Sequence, residues 1–199
     1  ARNWLRRLPA GLTWTAERAA YTTLLERMDP EFVNGAEAGF DLDACADNAC
    51  NEWIGAQIRT DLYGWVCPGR PDLAAELARR DAALSHRGDV VDAAVFIAAL
   101  AAALPLTNKL SAALETALGQ IPVDCNAAHA VRKDYQLAGR DDAVDLLYEA
   151  YAGLSPLHSL NNLALVVWGL CSAGGDFGKA VTSVVAAGWD TDSNGATVG

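Results

Sequence analysis

The sequence has few cysteines, and they are not closely spaced. Five are scattered over 199 residues, and no two form a Cys-x-x-Cys motif. An odd, scattered set argues against a disulfide framework, and structural zinc sites usually require closely spaced cysteine or histidine pairs. We therefore expect a protein of a reducing compartment, the cytoplasm.

Basic residues are also scarce. The chain has 15 Lys and Arg residues against 25 Asp and Glu residues, which gives a formal net charge of -10. A surface with this charge repels phosphate backbones and anionic lipid headgroups. We expect no nucleic-acid partner.

A long uninterrupted apolar run is missing as well. The longest apolar segment, residues 90–106, contains Asp92 and is closely followed by Asn108 and Lys109. On this basis we expect it to be too short and too polar to span a bilayer. The sequence predicts a buried helix here and no membrane partner.

The chain also lacks stretches in which polar and apolar residues alternate, as they would in a strand. From about Pro71 onward it consists of helical patterns separated by glycine or proline, which predicts an all-α fold. With 52% hydrophobic residues, residues 1–199 can bury one sizeable core, so we expect a single domain. The predicted helices run from Pro71 to Gly88, Val90 to Leu104, Asn108 to Gly119, Asp124 to Gly139, Asp141 to Gly153, Asn161 to Ser172 and Asp176 to Gly188.

The first third of the chain has a different pattern. A helix is predicted to start at Thr15 and to continue to Met28, and residues 52–65 resume a helical pattern. Between them, residues 29–50 are rich in Asp, Asn, Gly and Ala without a period. We expect a long ordered loop there, and a loop of this length in a compact domain more often has a function than not.

The strongest chemical motif is residues 190–194, Asp-Thr-Asp-Ser-Asn. Two carboxylates two residues apart and a hydroxyl form a compact set of hard oxygen ligands, which suits magnesium or calcium. Because the motif follows Gly188 at a helix end, simple capping of the next helix by Asp, Ser and Asn side chains explains it equally well.

The same residues also match the opening of a calcium-binding EF-hand loop. Asp190, Asp192, Asn194 and Gly195 fit Asp-x-Asp-x-Asn-Gly. Against this interpretation, Val198 stands where an oxygen-bearing side chain is usual, and a carboxylate would be needed two residues beyond Gly199.

A second motif covers residues 55–61. Gly55 and Ala56 would allow a ligand to approach the backbone, and Arg59 could pair with a phosphate or carboxylate. The alternative is a salt bridge from Arg59 to Asp61 or Glu52 on a closely packed helix.

Two histidines are also candidates for a role at a site. His86 is predicted in the last turn of a helix, where the helix dipole favours a cationic or hydrogen-bonding side chain. His158, at the start of a helix, could orient a ligand or be structural.

In this order along the chain, the segments resemble the ADP-ribosylglycohydrolase family. The resemblance is carried by TAER at 15–18, EWIGAQIR at 52–59, GWVCPG at 64–69, RDAALSH at 80–86 and GWDTDSNGATVG at 188–199. It implies a compact orthogonal helical bundle that binds two magnesium ions and releases ADP-ribose from a protein or small-molecule acceptor. It further implies metal ligation by Asp190, Asp192 and Ser193, and substrate binding by Gly55, Ala56, Ile58, Arg59 and His86.

The sequence departs from the family pattern in two places. The Thr-Asp-Asp-Thr metal motif and the catalytic acidic residue of the family are absent from these 199 residues, so we expect a chain truncated at both ends with that acidic residue upstream of Ala1. A non-catalytic ADP-ribose-binding or structural relative is the alternative. GDVVDA at 88–93 also replaces a segment that usually resembles Asn-Gly-Ile-Tyr-Gly.

Overall fold

A computed structural model describes residues 1–9, 11–26 and 42–199, and every regular element in these ranges is helical. The α-helices are α1 Arg2–Arg7, α2 Thr15–Glu26, α3 Leu42–Ala46, α4 Asp61–Val66, α5 Pro71–Ala82, α6 Asp89–Ala103, α7 Leu110–Leu118, α8 Asn126–Tyr135, α9 Ala143–Ala150, α10 Ser159–Ala173, α11 Phe177–Ala187 and α12 Thr191–Val198. Short 3-10 turns lie at Gln57–Arg59 and Leu104–Leu106. The described ranges contain no strand, only an isolated antiparallel bridge between Trp53 and His158. The predicted all-α fold is confirmed.

Helix α6 is the centre of the core. Twelve of its fifteen residues are buried, including Phe96, the largest fully buried side chain among the described residues. Together with the following 3-10 turn, Asp89–Leu106 is 18 residues long and apolar enough to cross a membrane by length and composition, so our prediction that it is too short and too polar was wrong. The prediction of a buried helix is confirmed, because 72% of the segment lies inside the structure.

The helices around α6 pack through small side chains. Helix α5 starts at Pro71, which is suited to a first helical position, and turns a buried alanine face towards α6. Helices α4, α7, α8 and α10 also contact α6. Alanine faces allow helix axes to approach closely, so the core is held by many short contacts rather than by large side chains.

Several local predictions need correction. Residues 52–56 are not helical: Trp53 is held by its bridge to His158, and helical structure begins only with the 3-10 turn at residue 57. Part of the predicted 29–50 loop is helix α3. The rest of that loop up to residue 41, like Met28, lies outside the described residues.

Helix starts were predicted with mixed success. Asp176 caps α11 as predicted, accepting a hydrogen bond from the Lys179 N–H at 2.8 Å. Helix α8 starts after Cys125, whose sulfur accepts from the Ala128 N–H, and not at Asp124. Helix α10 starts after His158, two residues earlier than predicted.

Candidate functional site

The acidic segment, residues 190–193, lies at the junction of α11 and α12. Helix α11 ends at Ala187, Gly188 and Trp189 turn the chain, and α12 starts at Thr191. Asp190 is half-buried at the N-cap position, whereas Asp192 is exposed in the first turn. The two carboxylates therefore belong to the residue before the first turn of α12 and to a residue within that turn.

The two carboxylates interact with each other. Burial, and then a hydrogen bond to Asp192, raise the pKa of Asp190, while the same hydrogen bond lowers the pKa of Asp192. Like charges held this close disfavour double ionisation, and a bound cation would relieve the repulsion. Ser193 adds a hydroxyl near Asp190 and lowers its pKa.

Two alternatives for this segment are decided by its geometry. Residues 191–198 are helical, so the EF-hand alternative is wrong, because such a site needs an extended twelve-residue loop. The capping alternative is borne out in part, since Asp190 is the N-cap residue of α12 and a backbone hydrogen bond from Ser193 lowers the pKa of its carboxyl.

Asn162 of α10 fixes the backbone of the acidic segment. Its side-chain oxygen accepts from the Asp190 N–H at 3.2 Å and from the Asn194 side-chain amide at 2.7 Å. Its own amide donates to the carbonyls of Pro156 at 2.8 Å and His158 at 2.7 Å. Sequence reasoning did not assign Asn162 a role, because only the tertiary structure brings these segments together.

The same region also holds the segment before the 57–59 turn. The Ile54 N–H donates to the Leu157 carbonyl at 2.8 Å, and the Ser159 N–H donates to the Glu52 carbonyl at 3.0 Å. The Ser159 hydroxyl donates to Gln57 Oε1 at 2.7 Å. Since α12 contacts the 57–59 turn, the two sequence-predicted site segments lie side by side.

Arg59 itself is engaged within the protein. Its guanidinium forms salt bridges to Glu17 and to Asp81, the latter with Nε 2.6 Å from Oδ2, and it donates to the Ser85 hydroxyl at 3.1 Å. We call Glu17, Arg59, Asp81 and Ser85 the Arg59 cluster. The predicted salt-bridge alternative is thus observed, but with partners other than Asp61 and Glu52.

The small residues before Arg59 serve the same cluster. A Cβ added at Gly55 would lie 2.6 Å from Glu17 Oε1, so glycine leaves room for this carboxylate. Ala56 is fully buried, and Ile58 is 39% exposed. The close approach predicted at Gly55 is real, but it is made by a side chain of the protein.

An open cleft of about 380 Å³ borders these residues. It is lined by Gly55, Ile58 and Arg59 together with Trp4 and Trp14. Asp190, Asp192, Ser193 and His86 are not among its lining residues. The structure therefore places the predicted substrate and metal residues in adjacent segments but not around one cavity.

His86 is fully buried next to the Arg59 cluster, in the turn after α5. Its Nδ1 lies 2.7 Å from the Ser85 hydroxyl, and its Nε2 has no hydrogen-bond partner within the described residues. Burial, and then the nearby Arg59 charge, lower the pKa of His86 to about 3. Of the two roles predicted for His86, the lowered pKa disfavours the cationic one, whereas the hydrogen-bonding one is observed, but with the Ser85 hydroxyl rather than a helix carbonyl.

His158 has the structural role that we considered for it. As the N-cap of α10, it accepts a hydrogen bond from the Leu160 N–H through Nδ1 at 3.1 Å. Cys50, Cys67, Cys125 and Cys171 have free thiols.

Comparison with known sequences places the chain in a family. The profile of the ADP-ribosylglycohydrolase family matches residues 1–199. The chain belongs to the ADP-ribosylglycohydrolase family. No curated protein and no solved structure matches it. Membership assigns it to the glycosidic-bond hydrolases that act on ADP-ribosylated substrates, a family that is in general metal-dependent.

The side chains of the acidic segment have the chemistry that a hard divalent cation requires. Two carboxylates and a hydroxyl offer the oxygen ligands that Mg²⁺ prefers, and Mg²⁺ usually keeps several waters besides one or two carboxylates. Within the described part of the chain no three His, Cys, Asp or Glu residues form a metal-binding group. Asp190, Asp192 and Ser193 therefore fit as one side of a coordination shell.

Proposed function

We propose that the protein is a magnesium-dependent hydrolase that cleaves the glycosidic bond between ADP-ribose and a protein or small-molecule acceptor. The oxygen of water forms a bond to the ribose C1, the bond from C1 to the acceptor breaks, and the acceptor leaves with a proton. The observation that carries the proposal is the pair of carboxylates at the start of α12, the helix that contacts the 57–59 turn, in a chain whose residues 1–199 match the family.

In this proposal Asp190, Asp192 and Ser193 hold Mg²⁺ at a site for two ions. A bound divalent ion orients vicinal hydroxyls, lowers the pKa of a water and stabilises charge that develops during cleavage. Support comes from the electrostatics of the pair, since burial and then the neighbouring Asp192 raise the pKa of Asp190, and a bound cation would favour its ionised form. The exposure of Asp192 leaves one carboxylate open to solvent and to substrate.

We propose that the segment from Gly55 to Arg59 and the neighbouring His86 border the ADP-ribose site. Of these side chains, Ile58 is available to a ligand, while Arg59 holds the turn in place through Glu17 and Asp81. Arg59 would act on substrate through the position of the turn, because its charge is already balanced by two carboxylates. We further propose a cytoplasmic location, with the few, scattered cysteines of the sequence as support.

The test is release of ADP-ribose from ADP-ribosylated substrates by the intact protein. Arginine-linked, serine-linked and nucleobase-linked substrates are assayed with Mg²⁺ and with excess EDTA. The proposal expects release from at least one substrate with Mg²⁺ and a loss of at least a hundredfold with EDTA. No release from any of them, or equal release in EDTA, would overturn it.

A non-catalytic ADP-ribose-binding protein is the second candidate. It is favoured by one observation, the lack of a three-residue metal-binding group within the described ranges. Mg²⁺-dependent ADP-ribose binding without release from any substrate would select this candidate.

A further inference from the structure

Trp189, the residue before the acidic segment, has a strained backbone. Its φ is 53°, in the left-handed region that bulky side chains rarely adopt. Such a residue costs about 1–3 kcal/mol and persists only where its surroundings fix it. The residue before it, Gly188, has φ 99° and ψ -150°, a combination open essentially to glycine.

Two tyrosines from the end of α9 surround the Trp189 ring. The Tyr148 ring stacks on it at a centroid distance of 4.5 Å, and the Tyr151 ring meets it edge-on at 6.3 Å. The Tyr148 hydroxyl also donates to the Ala187 carbonyl at 2.8 Å, just before the strained pair. We call Tyr148, Tyr151 and Trp189 the aromatic clamp.

The clamp is itself anchored in the bundle. The Tyr151 hydroxyl donates to Asp134 Oδ2 of α8 at 2.7 Å, and Asp134 is fully buried. Tyr151 and Trp189 also pack against a satellite core cluster that contains Leu147 and Leu165. The strained turn is therefore braced against α8, α9 and α10.

We propose that the aromatic clamp positions the Asp190 carboxylate for metal binding. Asn162 holds the Asp190 N–H from one side, and the Trp189 ring holds the preceding backbone from the other. Together they fix both ends of the Asp190 peptide unit before a ligand arrives. Tyr148, Tyr151 and Trp189 are positioning residues, and this inference rests on the proposed function of Asp190.

Two substitutions separate positioning from simple packing. Trp189→Gly permits the left-handed backbone without strain but no longer enforces it, whereas Trp189→Phe keeps an aromatic ring for stacking. Tyr148→Ala removes the stacking partner. Tyr135→Ala is its control, because Tyr135 is 46% exposed and Tyr148 is 42% exposed, so both variants lose a tyrosine of similar exposure. If the glycine variant does not fold, the tyrosine pair provides the same comparison.

Two measurements on the intact protein test the proposal. The first is amide hydrogen exchange of Asp190 and Asn194 without metal, since their N–H groups bond to Asn162 and to the Asp190 carbonyl. The second is Mg²⁺ affinity by calorimetry. In Trp189→Gly and Tyr148→Ala we expect faster exchange at these two amides and Mg²⁺ binding weaker by about tenfold or more, as is typical when groups behind metal ligands are lost. Trp189→Phe and Tyr135→Ala should stay within about twofold of the wild-type Mg²⁺ affinity, well short of that loss.

The outcomes distinguish the clamp from the metal site. Unchanged exchange and unchanged Mg²⁺ affinity in Trp189→Gly and Tyr148→Ala, with a wild type that binds Mg²⁺, would overturn the clamp alone. A wild type that binds no Mg²⁺ would overturn the proposed function, and the clamp proposal with it.

Discussion

The Arg59 cluster and the acidic segment are both charged, but they differ in how their charges are balanced. In the Arg59 cluster one guanidinium pairs with two carboxylates and a hydroxyl, and all the side chains of the two ion pairs are at least three-quarters buried. In the acidic segment two carboxylates shift each other's pKa, and within the described residues no basic side chain contributes to the pKa shift of either.

This difference separates a structural role from a role in binding. A balanced, buried cluster contributes to stability, and removing one member leaves the others unpaired. An unbalanced pair of carboxylates costs stability unless a cation joins it. We therefore expect substitutions in the Arg59 cluster to affect folding, and those in the acidic segment to affect ligand binding.

Arg59→Ala should give the largest loss of stability. It leaves Glu17 and Asp81 without their counter-charge in a mostly buried position, so we expect a loss of about 3 kcal/mol in the free energy of unfolding. Urea denaturation measures it. Arg70→Ala is the control, because the side chains of the Arg70–Asp72 pair are both 62% exposed and should contribute little to stability. Equal losses in the two variants would contradict the structural role of the cluster.

His86 should make the stability fall in acid. Its pKa is about 3 in the folded protein, below its ordinary value of 6.5, so folding favours the neutral form. This stabilisation is complete above pH 6.5 and is lost as the pH falls towards 3. Urea midpoints measured across this range should decline less steeply in His86→Asn than in the wild type. Parallel curves would show that His86 does not titrate as the structure implies.

Asp134, behind the acidic segment, should have the opposite effect. Burial raises its pKa to about 6 from 3.8, so the folded protein favours the protonated form. Its stabilisation is present below pH 3.8 and is lost as the pH rises through 6. Relative to the wild type, Asp134→Asn should therefore gain stability between pH 4 and pH 7, as followed by thermal unfolding. A constant difference across this interval would be inconsistent with a buried, titrating carboxyl.

Gly55→Ala should have the smallest of these effects. The new Cβ would lie 2.6 Å from Glu17 Oε1 and push this carboxylate away from Arg59, with an expected loss of about 1–2 kcal/mol. Gly178→Ala in α11 is the control, because its Cβ would make only an ordinary contact at 3.5 Å. Helix propensity predicts a gain of up to about 1 kcal/mol there. Equal behaviour of the two variants in urea denaturation would mean that the approach of Glu17 does not require glycine.

The helices from Pro71 onward could be predicted because their signals are local. Proline at the start of α5, the apolar period of α6 and Asp176 before α11 each act within a few residues. The segment around Trp53 could not be predicted, since it is held by a single bridge to His158, more than a hundred residues away.

The candidate site likewise has features that the local sequence predicts and contacts that it does not. The Asp190 and Asp192 pair and the close approach at Gly55 are visible in the sequence, because residue type and spacing carry them. The partners are not: Glu17 fills the space over Gly55, and Asn162 holds Asp190, through contacts that only the folded chain creates. A buried polar residue whose partner is distant along the chain produces no repeating sequence pattern from which its role could be predicted.

Calorimetric titration of the intact protein and of Asp192→Ala with ADP-ribose, each with and without Mg²⁺, tests the central claim most directly. We predict that Mg²⁺ strengthens ADP-ribose binding to the wild type by at least about tenfold, that Asp192→Ala loses this gain, and that its helical content and urea midpoint stay near those of the wild type. Equal ADP-ribose affinity with and without Mg²⁺ in the wild type, or a full Mg²⁺ effect in Asp192→Ala, would contradict the account.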